Sequence, residues 1–490
     1  MASTLTIFGV HLVVWLVMAA IIPRRRTAGE AHAWLLVVAL LPVIGAASYV
    51  FHARTRTLRR ARTFASPSPD GPGPPPKSAD VQALTARLDA LIAQIPGGAA
   101  HPWSAFEPLD PGVPTVDAVI AGIASATSSV DLEYFIVAND EMGTQIREAL
   151  IRAADRGIDC RLLVDAAASH ALFLHHRPAL EQHGVQIRRM SMVPYRLWPV
   201  RRLDLRNHRK LAVFDGRTAI VGSQNMDDRR RASHASSLDP NWLELSVQVS
   251  GPVVLALRDV FNSDWRAAAN EASYDRPRVP NPGHTSSDVA DEVLEPRPHR
   301  NGPGKIASSR RLHVIPTGPH AEAARLEDVV HTLIDAAQSH IRIVTPYFVP
   351  TDPILSSLRL ALLRGVDVRI QVPGTIRPRI ARYAAFGYLA DLRTLGAQVE
   401  VLPSGYLHAK FIAIDDDIRM FGSGNFDARS FWINRELVFV SVDPETAHRL
   451  DVATAPINDA VRAWDELPLN RPNSIEQALR QWSRIATPLL

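Results

Sequence analysis

Asn207-His208-Arg209-Lys210-Leu211-Ala212-Val213-Phe214-Asp215 stands 200 residues before Leu407-His408-Ala409-Lys410-Phe411-Ile412-Ala413-Ile414-Asp415, and the two stretches read as copies of one element. Counted from each histidine, both copies place Lys at two, Asp at seven, Gly at fourteen, Ser at fifteen, Asn at seventeen and Asp at nineteen. These are Lys210, Asp215, Gly222, Ser223, Asn225 and Asp227 in the first copy, and Lys410, Asp415, Gly422, Ser423, Asn425 and Asp427 in the second. Six matched offsets mark an internal repeat, which has to be recognised before any other feature of the fold is argued.

Weaker echoes lie upstream of each histidine. Asp131 to Val137 is matched by Ile341 to Val349, and Ala153 to Val164 by Leu362 to Val372. Each copy therefore reads as helix, strand, helix, strand and then the histidine strand. Alternating helices and β-branched runs predict an α/β architecture, and tandem duplication predicts halves packed about a pseudo-twofold axis. A site built from paired residues should then lie between the halves. The single cysteine, Cys160, sits in an apolar run and reads as a buried thiol in a strand rather than a redox centre.

Outside the repeat, composition sets the boundaries. Residues 1–62 hold two apolar runs, Leu5 to Ile22 and Trp34 to Phe51, each about long enough to cross a ~30 Å hydrocarbon layer. Arginines follow each run, so the expected arrangement is a transmembrane hairpin with both ends, and the catalytic part, on the cytoplasmic side of a cell membrane. Residues 63–100 read as a linker, with six prolines and two glycines between Ser66 and Ser78, followed by a short amphipathic helix carrying Val81, Leu84, Leu88 and Leu91. The first half is expected over 101–273, a second linker over 274–310 and the second half over 311–490. The net charge of +4 divides into +7 in residues 1–62, eight arginines against Glu30, and −3 in the rest of the chain. The basic excess thus sits beside apolar runs, where it reads as a membrane-surface signal. The catalytic part lacks the basic balance expected of a nucleic-acid enzyme, so no nucleic-acid partner is expected.

On a strand, His208 and Lys210 share one face, as do His408 and Lys410, while Arg209 and Ala409 point away. Two histidines, two lysines and two asparagines converging across an axis suit a phosphodiester. Lys210, Lys410, Asn225 and Asn425, with Ser223 and Ser423 beside them, would bind the non-bridging oxygens and hold the charge of a five-coordinate transition state. One histidine would attack phosphorus and the other protonate the departing oxygen. Lysines supply the charge, so no metal and no cofactor is expected. Asp215 and Asp415 come just past apolar runs and are followed by Gly216 and Asp416, a context that reads as turn-forming or hydrogen-bonding scaffold.

His-x-Lys-x4-Asp with a downstream Gly-Ser-x-Asn, present twice, is similar to the signature of the phospholipase D superfamily. Within it the chain resembles the bacterial cardiolipin synthases over nearly its whole length. The resembling stretches include DLEYFIVANDEMG, RNHRKLAVFDGRTAIVGSQNM, NWLEL, TPYFVPTD, GSGNFDARSFWINRE and the terminal Pro488-Leu489-Leu490. The resemblance implies two α/β/α sandwich halves and a catalytic set of His208, Lys210, Asp215, His408, Lys410 and Asp415. It implies that His208 forms a phosphohistidine and that His408 acts as general acid and then base. A carboxylate behind each histidine is implied too: Glu436 matches the second motif, 28 residues past its histidine, and Glu244 is the candidate for the first, 36 residues past. The implied reaction converts two phosphatidylglycerols into cardiolipin and glycerol, with phosphatidylglycerol and other anionic phospholipids as partners. A hydrolase releasing phosphatidic acid would use the same residues; a phosphodiesterase acting on nucleic acid is the more distant alternative. Arg229 to Arg231 and the loops expected from Arg196 to Arg206 and around Tyr383 to Tyr388 are candidates for the rim of the site.

Overall fold

The computed structural model describes residues 2–22, 28–41, 46, 49, 77–109, 115–190, 205–228, 242–274, 310–318, 324–467 and 474–484. Residues 63–76 of the first expected linker, 275–309 of the second, Arg196 to Asp204, Arg229 to Arg231 and the terminal Pro488 to Leu490 lie outside the described residues.

Two mixed sheets repeat one topology. In the first, the strands run across the sheet in the order Ala105–Pro108, Ser246–Ser250, Thr218–Gly222, Lys210–Phe214, Ser129–Tyr134, Asp159–Asp165 and Gln186–Met190. In the second, the matching order is Arg311–Pro316, Leu437–Ser441, Ile418–Gly422, Phe411–Ile414, His340–Val344, Asp367–Pro373 and Gln398–Leu402. In each sheet the last three strands run parallel and the others pair antiparallel. The histidine strands are therefore central, as their uninterrupted apolar runs require.

Strand periodicity then decides which core each side chain joins. Ala212 and Phe214 pack under the helices Thr115–Ser125 and Glu141–Asp155 of the first half, while Leu211 and Val213 turn the other way. In the second half Ile412 and Ile414 face its own outer helices, and Phe411 and Ala413 meet Leu211 and Val213 in one shared core. That shared core also takes in Phe106, Phe261, Phe421 and Phe439, all but fully buried. Each such side chain contributes roughly 2 kcal/mol, so the halves form a single folded body with an apolar seam. Cys160 is buried in the Asp159–Asp165 strand and burial pushes its thiol up to about 12.

Three features depart from the sequence reading. The amphipathic helix forms as Lys77–Ile92, but Leu84, Leu88 and Ile92 pack on the second half, and Ala99–Pro102 adds an edge strand to the second sheet. The chain thus crosses to the far half before building the near one. Tyr383 to Tyr388 is no loop: it lies within the helix Arg379–Thr394, with Phe386 and Tyr388 buried and Arg480 stacked on Phe386. Thirdly, the N-terminal runs form helices Ala2–Ile21 and Ala28–Leu40, which pack through Met18, Ala19, Leu35 and Val38. Thirteen residues rise only about 20 Å, and no helix among the described residues is long and apolar enough to cross a membrane. The expected second span continues past residue 41 into segments outside the described residues.

Asp215 and Asp415 sit at the far ends of the histidine strands, in the left-handed region at φ +55° and +47°. The Asp215 carboxylate accepts from the backbone N–H groups of Thr127, Ser128 and Ser129 and from the hydroxyls of Thr127 and Ser128; Asp415 accepts from the backbone N–H groups of Gln338, Ser339 and His340 and from the Ser339 hydroxyl. Burial would raise both pKa values, but these donors outweigh it and hold both carboxyls below the usual range. Neither aspartate belongs to the chemistry the motif implies, because a strand's length separates it from its histidine. Asp215→Ala should destabilise the fold by about 3 kcal/mol, by orphaning those donors and by placing alanine at positive φ. A depressed carboxyl contributes stability that is present above its unfolded pKa of about 4 and lost as pH falls through the folded value. The gap between Asp215→Ala and wild type in urea denaturation should therefore narrow at strongly acidic pH. Loss of activity at unchanged stability would instead return Asp215 to the catalytic set.

Candidate active site

The histidine motifs meet where the halves exchange backbone. His208 N–H donates to the Arg435 carbonyl at 2.9 Å, and Arg435 N–H donates to the Arg206 carbonyl at 2.9 Å. In the mirror position Tyr406–Leu407 pairs in parallel with Trp242–Leu243, and His408 N–H donates to the Leu243 carbonyl at 2.8 Å. Each histidine is therefore clipped to the residue that precedes a glutamate of the opposite half.

This crossing corrects the expected pairing of carboxylates. His208 Nδ1 lies 2.9 and 3.0 Å from the Glu436 carboxylate oxygens, and His408 Nδ1 lies 2.9 and 3.0 Å from those of Glu244. The glutamate counted 36 residues after His208 serves His408, and the one counted 28 after His408 serves His208. Both glutamates are buried. Burial works to raise their pKa values, but the paired histidine and the nearby lysine, with a serine donor, lower them overall. An ionised carboxylate only accepts, so each imidazole carries its proton on Nδ1 and leaves the Nε2 lone pair free of it.

Both histidines are held neutral. Burial is the largest cause; the glutamate pushes back, and the lysines lower them again, leaving about 4 for His208 and about 3 for His408. Lys410 lowers His208 and Lys210 lowers His408, so the two motifs act on one another's charge. The ammonium groups are buried and donate to the carbonyls of their own histidines, Lys210 to His208 at 2.6 Å and Lys410 to His408 at 2.7 Å. Burial and Lys210 depress Lys410 well below an ordinary lysine, against the pull of Glu244. Phe135 sits edge-on to His208, whereas Tyr406 stacks on His408.

The serines and asparagines divide. Ser223 hydrogen-bonds Glu244, and Ser423 donates to Glu436 at 2.5 Å; each hydroxyl also accepts a backbone N–H, from Leu245 and Leu437. Expected to bind substrate, both serines instead orient the glutamates. They reach them because Gly222 and Gly422 allow the next strand close: a Cβ at either would lie 2.4 Å from the carbonyl oxygen of Leu245 or Leu437. Asn225 and Asn425 are buried, and among the described residues no protein atom satisfies the Oδ1 of either. Oδ1 only accepts, so a phosphate oxygen would have to be met by the Nδ2 donors.

Several contributors escape a reading by offsets. Ser430 and Asn434 both donate to Glu436, at 2.8 and 3.2 Å, from the short helix Ala428–Trp432 and from the turn between it and the strand Leu437–Ser441, where no periodicity in the sequence marks them. Asp165 and Glu133 hold Asn207 at 3.0 and 2.9 Å, fixing the backbone that presents His208. Among the described residues no group of three His, Cys, Asp or Glu side chains is placed to hold a metal ion.

Comparison with known proteins gives a consistent result. The family profile described as "Cardiolipin synthase, PLD-like domain" matches residues 119–265 and 330–454, more than half of the chain. "Cardiolipin synthase 1" of Bacillus anthracis is 27% identical over 509 residues, covering 99% of this chain and 93% of that protein. "Cardiolipin synthase A" of Cronobacter sakazakii is 28% identical over 458 residues, covering 90% and 89%. Among solved structures, the phosphatidylserine synthase of Haemophilus influenzae Rd KW20 superposes with a TM-score of 0.57 at 16% identity, covering 82% of this chain and 96% of that one. At that identity the likeness concerns the fold.

Proposed function

The chain belongs to the cardiolipin synthase, PLD-like domain family, and from that premise we propose that it joins two phosphatidylglycerol molecules into cardiolipin and glycerol. The observation that carries this reading is the pair of buried histidines, each with Nδ1 on a glutamate of the other half and each beside a lysine. Nε2 of His208 attacks phosphorus of the first phosphatidylglycerol, the bond from phosphorus to the headgroup oxygen breaks, and His408 gives that oxygen its proton as glycerol leaves. The terminal hydroxyl of a second phosphatidylglycerol then loses its proton to His408 and attacks phosphorus, and the phosphorus–nitrogen bond breaks to release cardiolipin. Lys210, Lys410, Asn225 and Asn425 hold the non-bridging oxygens through both steps. One phosphodiester replaces another, so no nucleotide is consumed.

The neutral histidines fit this scheme once substrate charge is counted. Burial costs an imidazolium more than its glutamate returns; an anionic diester between the motifs adds negative charge, raises both imidazoles and lets His408 take the proton it must donate. Binding of inorganic phosphate near pH 6 should therefore draw up to about one proton from solution. Calorimetry in buffers of different ionisation enthalpy measures this uptake, and an enthalpy independent of buffer would contradict the assignment of charge.

Both lipids are confined to a bilayer, and we extend the proposal to a membrane-anchored enzyme with its catalytic part on the cytoplasmic side. Support comes from the N-terminal helices, where Val10, Val13, Leu16, Val17, Leu36 and Leu40 are exposed apolar side chains that a water-facing protein would bury. Trp15 of the first helix meets Trp482 of the helix Ser474–Ser483, which in turn packs on Arg379–Thr394, so this surface is tied to the second half. An enzyme held at the surface meets both substrates at high effective concentration. Incubating the full chain with phosphatidylglycerol vesicles and analysing lipids by mass spectrometry tests the reaction: cardiolipin with equimolar glycerol is the expected result, and phosphatidic acid alone would make the protein a hydrolase.

A further inference from the structure

The pseudo-twofold axis relates Arg209 to Ala409, and the two positions differ in what they can hold. Ala409 merges into the apolar seam between the halves. Arg209, 4% exposed, instead forms an ion pair with Asp264 of the helix Val253–Tyr274 and donates from Nε to the Glu436 carbonyl at 3.1 Å and from Nη2 to the Thr317 carbonyl at 2.9 Å. Thr317 and Glu436 are themselves joined backbone to backbone, at 3.0 and 3.3 Å. The other oxygen of Asp264 takes Nη1 of Arg435 at 3.1 Å, and the carbonyl of Arg435 receives the N–H of His208. One buried carboxylate thus grips two arginines, and those arginines grip the backbone on both sides of the His208–Glu436 pair. Glu133, whose pKa burial and Asp264 raise, lies in the same cluster and reaches Asn207.

Among the described residues nothing equivalent stands behind His408, where alanine has no side chain to reach the backbone around Glu244. Resting on the proposed function, in which His208 is the attacking group, we infer that Arg209, anchored by Asp264 and Arg435, is a positioning residue that fixes Glu436 and through it the imidazole of His208. A nucleophile must keep its lone pair aimed at phosphorus through two in-line displacements, whereas an acid–base group has only to exchange a proton with oxygen. A misplacement of about 1 Å costs roughly 100-fold in rate, and the rigid planar fork of arginine suits it to fix several acceptors at once. The arrangement is open from behind: a cavity of about 540 Å³ is lined by Arg209, Asp264, Arg435 and Thr317 on the side away from the histidine, so a small cation has access to Asp264.

That access supplies the test, made on the full chain in phosphatidylglycerol vesicles. Arg209→Ala should lower kcat roughly 100-fold with KM changed by less than about threefold. Millimolar guanidinium ion, entering the cavity and pairing with Asp264, should return about a tenth of the lost rate. Arg209→Ala leaves Asp264 paired with Arg435, so it should fold; the double variant Arg209→Ala/Asp264→Ala removes the carboxylate that guanidinium would pair with, so it should show at least the same fall in kcat and no recovery with guanidinium. A folded Arg209→Ala protein within threefold of wild-type kcat would overturn the inference. So would a loss that follows the unfolded fraction in both variants and ignores guanidinium. Wild-type turnover of phosphatidylglycerol, measured alongside, separates a failure of the proposed reaction from a failure of this inference.

Discussion

His208→Ala is expected to reduce cardiolipin formation by at least about 10⁴-fold, equivalent to roughly 5.5 kcal/mol of transition-state stabilisation. A covalent route has no substitute for its nucleophile, and the lysines beside it act as donors, each holding its histidine's carbonyl and, in the proposed reaction, the non-bridging oxygens. His408→Ala should fall by a similar factor, because the leaving glycerol then departs unprotonated. Effects of residues that act as one unit do not add, so the double variant should be no slower than either single one. Initial rates in vesicles measure all three, and more than about a tenth of wild-type activity in His208→Ala would exclude the covalent scheme.

The second large effect falls on the glutamates. Glu436→Gln keeps shape but replaces an acceptor by an amide that can present a donor to Nδ1, favouring the wrong tautomer; a comparable change behind a catalytic histidine costs about 10⁴-fold in a serine protease. Turnover should fall by roughly 10² to 10⁴, and Glu244→Gln should do the same through His408. The crossed pairing makes a sharper forecast than the size of the loss. A double-mutant cycle on unfolding stability should give a coupling above about 1 kcal/mol for Glu436 with His208 and for Glu244 with His408, and near zero for Glu436 with His408. Coupling within each half would restore the pairing expected from sequence spacing.

That contrast shows where reading by sequence stops. The matched offsets located both histidines, both lysines and the central strands, because period-two patterning and an apolar run constrain a strand locally. Offsets count only along the chain, however, and the partner of His208 depends on how the halves meet: through Arg435 clipped to residues 206–208 and Leu243 clipped to His408. The serines were misassigned for a related reason. They were grouped with the lysines and asparagines as ligands of the phosphate, but the close strand approach that Gly222 and Gly422 permit turns the hydroxyls onto the glutamates. Asp215 and Asp415 belong to the motif by spacing, yet five strand residues put Asp215 beyond the reach of its own His208. The scaffold reading of both, drawn from the turn context, agrees with the fan of donors each accepts. Arg209 was correctly read as pointing away from its neighbours His208 and Lys210, but nothing in the strand pattern indicates that Asp264, 55 residues on, would meet it.

The most direct measurement on the central claim is mass analysis of the chain quenched at alkaline pH during turnover of phosphatidylglycerol. The account predicts a phosphatidyl group on the peptide containing His208, formed as glycerol is released and lost when a second phosphatidylglycerol is supplied. An adduct confined to His408, or steady cardiolipin formation by a chain that never carries the group, would contradict it.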